Sequence, residues 1–440
     1  MAGIGPLLPE GLRDRAHPLR PVLAGEVHAR PPLPLAAPAR VLHLGLLLDA
    51  GEASAEHEQL VALCRYAGQD EPPRGAKHVA IPLSADAHLI WEKRTEFSTY
   101  TLYLRRQSGA ALDQRSMALP LPPGWLDTLP GKLMVSADVT ILAPQEPEPD
   151  EALLQRLFDG PTLVASHIAS NHATVWTDFF LGVDDTVRFL VHDRGLSDAQ
   201  RGRAVMRLLE IETYRMMALL ALPLAQQVAP RITQLEHGLA ALASRMVDVA
   251  HESEQTLLRE IAVLAAEVET LAVETPYRFG AARAYHALVE RRIAELREGR
   301  IEGLPTIGEF MERRLSPAMR TCITMAERIE GLSRRATRMA NLLRTRVDVA
   351  LERQNVELLD AMNRRSHMQL RLQETVEGLS VAAITYYFVG LVGYGAQALH
   401  AMGLPVDKEI AIGVAIPVVA GLVWWGLRRF RRSLQKDGLR

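Results

Sequence analysis

GLSVAAITYYFVGLVGYGAQALHAMGLPV, residues Gly378–Val406, contains no Asp, Glu, Lys or Arg. Asp407, Lys408 and Glu409 interrupt it, and a second uncharged stretch, IAIGVAIPVVAGLVWWGL, covers Ile410–Leu427. A helix rises about 1.5 Å per residue, so the first stretch is long enough to cross a bilayer and the second just long enough. The pattern predicts a transmembrane hairpin over residues 379–427, with the lipid bilayer as its partner. The turn holds one basic residue, Lys408, whereas Arg428, Arg429, Arg431, Arg432, Lys436 and Arg440 follow the second stretch and Arg364, Arg365 and Arg371 precede the first. Lys and Arg stay on the cytoplasmic side, so both termini are expected there and Met402–Glu409 outside. Trp424 and Trp425 stand near the inner end of the second stretch, at headgroup level.

Working outward, residues 318–378 contain no proline, and Gly331 is the one glycine before Gly378. Apolar residues recur at three-four spacing through Ile329, Leu332, Ala336, Met339, Leu343 and Val347. About sixty such residues make a rod of roughly 90 Å running into the first membrane segment. An amphipathic rod of this kind packs against other helices in coiled-coil fashion. Ser316-Pro317 reads as its cap and first helical residue, and Thr306-Ile307-Gly308-Glu309 as a capping box before it. Further upstream, helices are expected from Ser197 to about Leu222, with Pro223 breaking or kinking it, then from about Ile232 to Val273, ended by Pro276, and over Gly280–Glu298.

The texture before Ser197 is different. Short runs rich in β-branched and aromatic residues predict strands at Val41–Leu48, His78–Leu83, Leu89–Lys93, Glu96–Leu104, Leu133–Leu142, Thr162–Ala169, Ala173–Leu181 and Thr186–His192. Helices fit Ala53–Ala67 and Glu151–Phe158. Residues 1–40 carry eight prolines and read as an extended lead-in. The expected fold class is therefore α+β: a Pro-rich lead-in (1–40), a mixed α/β cytoplasmic domain (41–195), a helical region ending in a long stalk helix (196–378), the transmembrane hairpin (379–427) and a basic tail (428–440).

Composition narrows the function classes. A net charge of −2 gives no basic surplus for nucleic acid, so no nucleic-acid partner is expected. Cys64 and Cys322 make neither a disulfide framework nor a zinc pattern, which fits a reducing compartment. Met1–Pro9 has no basic segment followed by an apolar core, so no cleaved signal peptide is expected. No Gly-x-Ser-x-Gly, P-loop, HExxH or Rossmann fingerprint is present, and the chain does not read as an enzyme.

Five segments, Glu26–Pro31 (EVHARP), Leu208–Arg215 (LLEIETYR), Tyr277–Gly280 (YRFG), Leu343–Asp348 (LRTRVD) and Thr375–Ser380 (TVEGLS), resemble the bacterial family of predicted membrane-anchored proteins named domain of unknown function 3422. That resemblance implies membrane anchoring, here at the bacterial inner membrane, and no particular activity. The order of domains also resembles CorA-type magnesium transporters, which carry Tyr-Gly-Met-Asn at the outer end of the first membrane helix. Here Tyr394-Gly395-Ala396-Gln397 stands there, keeping Tyr-Gly and replacing Met and Asn. Gln397 still offers a carbonyl oxygen to a hydrated cation.

The candidate sites follow. Ser380, Tyr387 and Tyr394 are seven apart and share one helical face that could line a pore, with Gly395 and Gln397 near its outer end; interhelical hydrogen bonding explains them equally. Two helices cannot enclose a pore, so a conducting form must be a homo-oligomer. Glu26, His28 and Arg30 alternate in the lead-in, near His17, and could bind a metal or clamp an anion, or simply pin the lead-in to the domain. His167, His172, Asp178, Asp184, Asp185, His192 and Asp193 crowd the last strands and could sense a divalent cation, although turns also favour such acids. No other cofactor is expected. Glu210, Glu212, Tyr214 and Arg215 form a charged patch on an apolar helix, read as a buried ion pair or a register device rather than catalysis, with Glu212 and Arg215 spaced to pair. Two functions compete: an oligomeric cation channel or transporter, and a non-conducting membrane-anchored ligand-binding or scaffold protein.

Overall fold

The computed structural model describes residues 10–13, 15–20, 23–24, 32–49, 51–107, 109, 112, 118–247, 254–403 and 407–437. They fall into two compact units, one within Met1–Glu252 and Arg259–Ala340, the other within Ser253–Leu258 and Asn341–Arg440.

After a one-turn helix α1 (Glu10–Arg13), the first unit builds β1 (Ala39–Leu47), α2 (Ala53–Tyr66), β2 (His78–Ser84), β3 (Ala87–Lys93), β4 (Phe97–Arg105), β5 (Lys132–Leu142), α3 (Glu151–Leu157), β6 (Val164–Ile168), β7 (Ala173–Thr177) and β8 (Val187–Asp193). A ninth strand, β9 (Gly299–Arg300), returns after the first helices, and the order across the sheet is β2-β3-β4-β1-β5-β8-β7-β6-β9. Every neighbouring pair is antiparallel except β5 with β8, so one parallel seam joins two antiparallel halves. The sequence expectations for the strands from β1 to β8 match these segments to within a few residues; β9 is too short to leave a periodic signature.

Burial explains the strand composition. In β4 every residue from Phe97 to Leu104 is buried, because both faces of the sheet are covered there. On one face Leu60, Leu63 and Cys64 of α2 pack with Ile81, Leu89, Trp91, Tyr100, Leu102 and Trp125. On the other, His43 of β1 bridges Thr101 of β4 and Thr213 of the helix α4 (Asp198–Leu219). Gly45 sits at a bulge in β1, where an added Cβ would come within 3.1 Å of the Val135 side chain.

Ser197 caps α4 and forms a full capping box with Gln200, as its sequence position suggests. One turn later Arg201 fixes the lead-in. It pairs with the fully buried Asp193 at 2.5 Å and with Asp198 at 2.7 Å, and donates to the backbone oxygens of Leu35 and Leu196. A Cβ on Gly202 would lie 1.9 Å from the Leu33 oxygen, so this close approach of chain to helix requires glycine.

The helices that follow are α5 (Ala221–Val247), α6 (Glu254–Glu274) and α7 (Pro276–Leu296). This corrects the expectation of one helix over Ile232–Val273. Pro223 falls in the first turn of α5, where its missing N–H costs nothing, and Pro230 is tolerated inside it. Pro276 begins α7 rather than merely ending α6. The Thr306–Glu309 capping box is present and opens α8, Ile307–Ala401. Ser316-Pro317 is therefore not a helix start: the Ser316 hydroxyl goes to Glu312, and Pro317 lies inside α8. The apolar stripe of α8 is buried through Ile307, Met311, Leu315, Met319, Cys322, Ile329, Leu332 and Ala336, and Arg328 pairs with Glu236 of α5 at 2.7 Å.

The second unit contains residues 341–401 of α8 and the helix α9 (Lys408–Asp437). Each carries a stretch long and apolar enough to cross a membrane, Glu409–Gly426 in α9. Val392 of α8 shares a shallow groove with Ile410, Ala411, Val414 and Ala415 of α9, and the small residues Gly393, Ala396 and Ala415 of these two helices are buried. Small residues let helix backbones approach closely in lipid.

Candidate functional site

A cleft of about 900 Å³ opens in the first unit at the β3–β4 turn. Its position follows from local rules. Glu56, Leu60 and Leu63 lie on one face of α2 at i, i+4 and i+7, and all are buried. A carboxylate on such a face needs donors, and three converge on it: Trp91 Nε1 at 2.9 Å, Lys93 Nζ at 3.1 Å and the Tyr100 hydroxyl at 3.3 Å. This cluster ties the start of α2 to the end of β3. Burial, reinforced by Glu56, pushes the Tyr100 hydroxyl far above the ordinary tyrosine range.

The opposite wall is aromatic. Tyr214 of α4 stacks on Tyr285 of α7 with centroids 5.8 Å apart and planes 11° from parallel, and Phe97 meets Tyr285 edge-on at 6.2 Å. Burial raises the hydroxyl pKa of both tyrosines, and Glu96 adds to the effect at Tyr285. Glu96 is itself held by Arg278, with Tyr277 at 3.5 Å. At the rim stand Arg74, Lys77, Lys93 and Arg94, against Glu58 and the already matched Glu56. Arg94 closes the turn through its backbone to Phe97 and pairs with Glu92 at 3.2 Å. His43, fully buried between Thr101 at 2.8 Å and Thr213 at 3.0 Å, is pulled down to a pKa of about 4 by burial and then by the charge of Arg94.

The patch at 208–215 frames this wall. Glu212 pairs with Arg215 at 2.6 Å, and the Arg215 guanidinium lies 5.6 Å from the Phe179 ring. Glu210 pairs with Arg292 of α7 at 2.6 Å, although burial pushes its pKa up. Glu210 and Arg215 thus tie α4 to its neighbours, and Glu212 pairs with Arg215 within the helix, as their i, i+3 spacing suggests.

The chain's other candidates are dispersed. Asp178 accepts from the amides of Gly160 and Phe180, Asp184 pairs with Arg188, and Asp193 is spent on Arg201. Asp185 occupies a turn at φ 54°. His167 meets Thr174, while His172 and His192 meet backbone oxygens. Caps and ion pairs thus account for this group, and among the described residues no three His, Cys, Asp or Glu could hold a metal ion. Glu26, His28 and Arg30 lie outside the described residues. In the second unit the Ser380 hydroxyl donates to the Val376 carbonyl, Tyr387 and Tyr394 are 71% and 77% exposed, and Gly395 and Gln397 are exposed beside them.

A family model described as Protein of unknown function (DUF3422) matches residues 15–434. The chain belongs to that family. No curated protein matches it. Of the segments quoted above in this DUF3422 member, Leu208–Arg215 and Tyr277–Gly280 both bear on the cleft, through Tyr214 and through the Arg278 hold on Glu96. The cleft itself escapes sequence reading, because its walls come from α2, the β3–β4 turn, α4 and α7. The one local signal is Glu56 on the apolar face of α2.

Proposed function

We propose that this protein is a membrane-anchored ligand-binding protein of the bacterial inner membrane, with the sheet domain and both termini in the cytoplasm. The cleft carries this reading. A concave site of this size, floored by aromatic rings with a few convergent charged groups, suits a small molecule. The uncharged stretches of α8 and α9 support the anchor, and the basic residues flanking them support the orientation. Native mass spectrometry of the full chain in detergent is expected to release a bound small molecule, and Ser54→Trp, at the cleft mouth, is expected to lose it. A full chain without an adduct that conducts magnesium, zinc, cobalt or sodium ions into liposomes, with flux abolished by Gln397→Ala, overturns the reading.

That outcome belongs to the second reading, a CorA-like homo-oligomeric cation channel. It is favoured by the exposure of Tyr387 and Tyr394 on one line of α8, a surface that lipid or further copies must cover. Topology bears on both readings. Cys64 and Cys322 are buried, so they stay silent toward thiol reagents in either orientation. A membrane-impermeant reagent on intact cells should label Pro405→Cys and spare Asp70→Cys, which is on the domain surface; the reverse pattern inverts the protein.

A further inference from the structure

We infer that the cleft at the β3–β4 turn takes an aromatic anion, a planar ring system bearing a phosphate, sulfonate or carboxylate. This deepens the ligand-binding reading and rests on it.

The floor selects a flat apolar body. Trp91 and Phe97 are buried to within a few per cent, and Tyr214 and Tyr285 are locked parallel, so their geometry is set before any ligand arrives. Rings held this way favour a further ring, stacked or edge-on, over a flexible chain. Preorganisation spares the ordering that a mobile wall would need.

The rim selects negative charge. Arg74, Lys77, Lys93 and Arg94 face the space; Arg94 also pairs with Glu92, and the acid deepest in the wall, Glu56, is matched by Lys93 and two neutral donors, so four cations stand against three carboxylates. The remaining carboxylate of the lining, Glu58, is exposed. Arginine offers a planar fork to a carboxylate or phosphate, and a charge-assisted hydrogen bond of this kind is about twice as strong as a neutral one. Burial disfavours the charged form of His43, and the positive field of Arg94 reaches inward to add to that effect. A divalent cation is disfavoured by the same surplus. At about 900 Å³ the space holds a nucleotide-sized molecule rather than a folded partner.

Calorimetry on the full chain in detergent tests this with four probes: AMP, adenosine, inorganic phosphate and naphthalene-1-sulfonate, with Ser54→Trp as control for partition into micelles. AMP and naphthalene-1-sulfonate are expected to bind more tightly than about 1 mM, with adenosine and phosphate at least about tenfold weaker. Arg74→Ala with Lys77→Ala should weaken both anions about tenfold and leave the melting temperature unchanged, because both side chains are on the exposed rim. Tyr285→Leu should lower the preference for AMP over phosphate. Adenosine binding as tightly as AMP, or phosphate as tightly as AMP, overturns the assignment. So does silence of both aromatic anions while native mass spectrometry still shows a molecule displaced by Ser54→Trp, and the ligand-binding reading then survives. Silence with no such molecule removes both.

Discussion

Leu208 and Leu358 are the same side chain with opposite surroundings: the first is 0% exposed in α4, the second 61% exposed in α8. The contrast holds across their units. In the first, strands and helices bury their apolar faces on one another, and charges inside find partners in the same chain, as Asp193 finds Arg201. In the second, Leu372, Leu391, Val418 and Trp425 remain open although they are as apolar as any core. Exposed apolar surface on this scale marks contact with lipid or protein. The sheet domain buries most of its apolar side chains within the chain, and the region after Asn341 leaves most of its own open.

The largest test attacks the first half of that contrast. Arg201→Ala leaves the fully buried Asp193 without its guanidinium partner and with only the amides of Gly195 and Leu196 donating to it, a loss of about 3–5 kcal/mol. Denaturation followed through the buried Trp91, Trp125 and Trp176 should shift strongly, while the share of protein in the membrane fraction stays the same. Unchanged unfolding would show that the lead-in and α4 are not held by this pair.

A second test uses acid. The folded pKa of His43 lies near 4 against 6.5 for the free side chain. Between those values the unfolded chain takes up a proton that the folded chain refuses. His43's contribution is therefore complete above pH 6.5 and declines as the pH falls toward 4, by about 3 kcal/mol. His43→Gln should flatten this part of the stability profile, even if it lowers the profile as a whole. A slope that persists in the variant places the acid sensitivity elsewhere.

The smallest expected effect sharpens the comparison most. Leu358→Ser should change the stability of detergent-dispersed single chains by no more than about 0.5 kcal/mol, since the side chain touches little. A markedly larger loss in membranes, or a drop in oligomer mass, would identify what covers the stripe as further copies of the chain.

Within the first unit, some features could be read from the sequence and others could not. Strands such as Ala173–Thr177 and helix starts such as Ser197 and Thr306 declare themselves locally, through β-branched residues and capping side chains. Ser316-Pro317 imitated such a start, because serine before proline is chemically right for a cap; only its partner Glu312, already inside α8, reveals otherwise. The division between α5 and α6 was hidden because no proline or glycine marks residues 248–253. At the cleft, Arg74, Trp91 and Tyr285 each look ordinary in their own segment, and the fold alone assembles them. Glu212 and Arg215 were legible because a pair three residues apart on a helix needs no long-range information.

The return of β9 to the sheet has a consequence for how the protein is made. Gly299 and Arg300 pair with His167 and Ser166 of β6, and the Ser166 hydroxyl bonds Glu298 just before them. Yet β8 ends at Asp193, and the ribosome must add the whole stretch to Gly299 before this edge can close. At roughly 5–20 residues per second that is on the order of 5–20 s. Through that interval β6 stands as an open strand edge on the nascent chain, a template for wrong pairing. Products that stop before Gly299 keep the edge open permanently, so the turn between α7 and α8 acts as the clasp that finishes the sheet during synthesis.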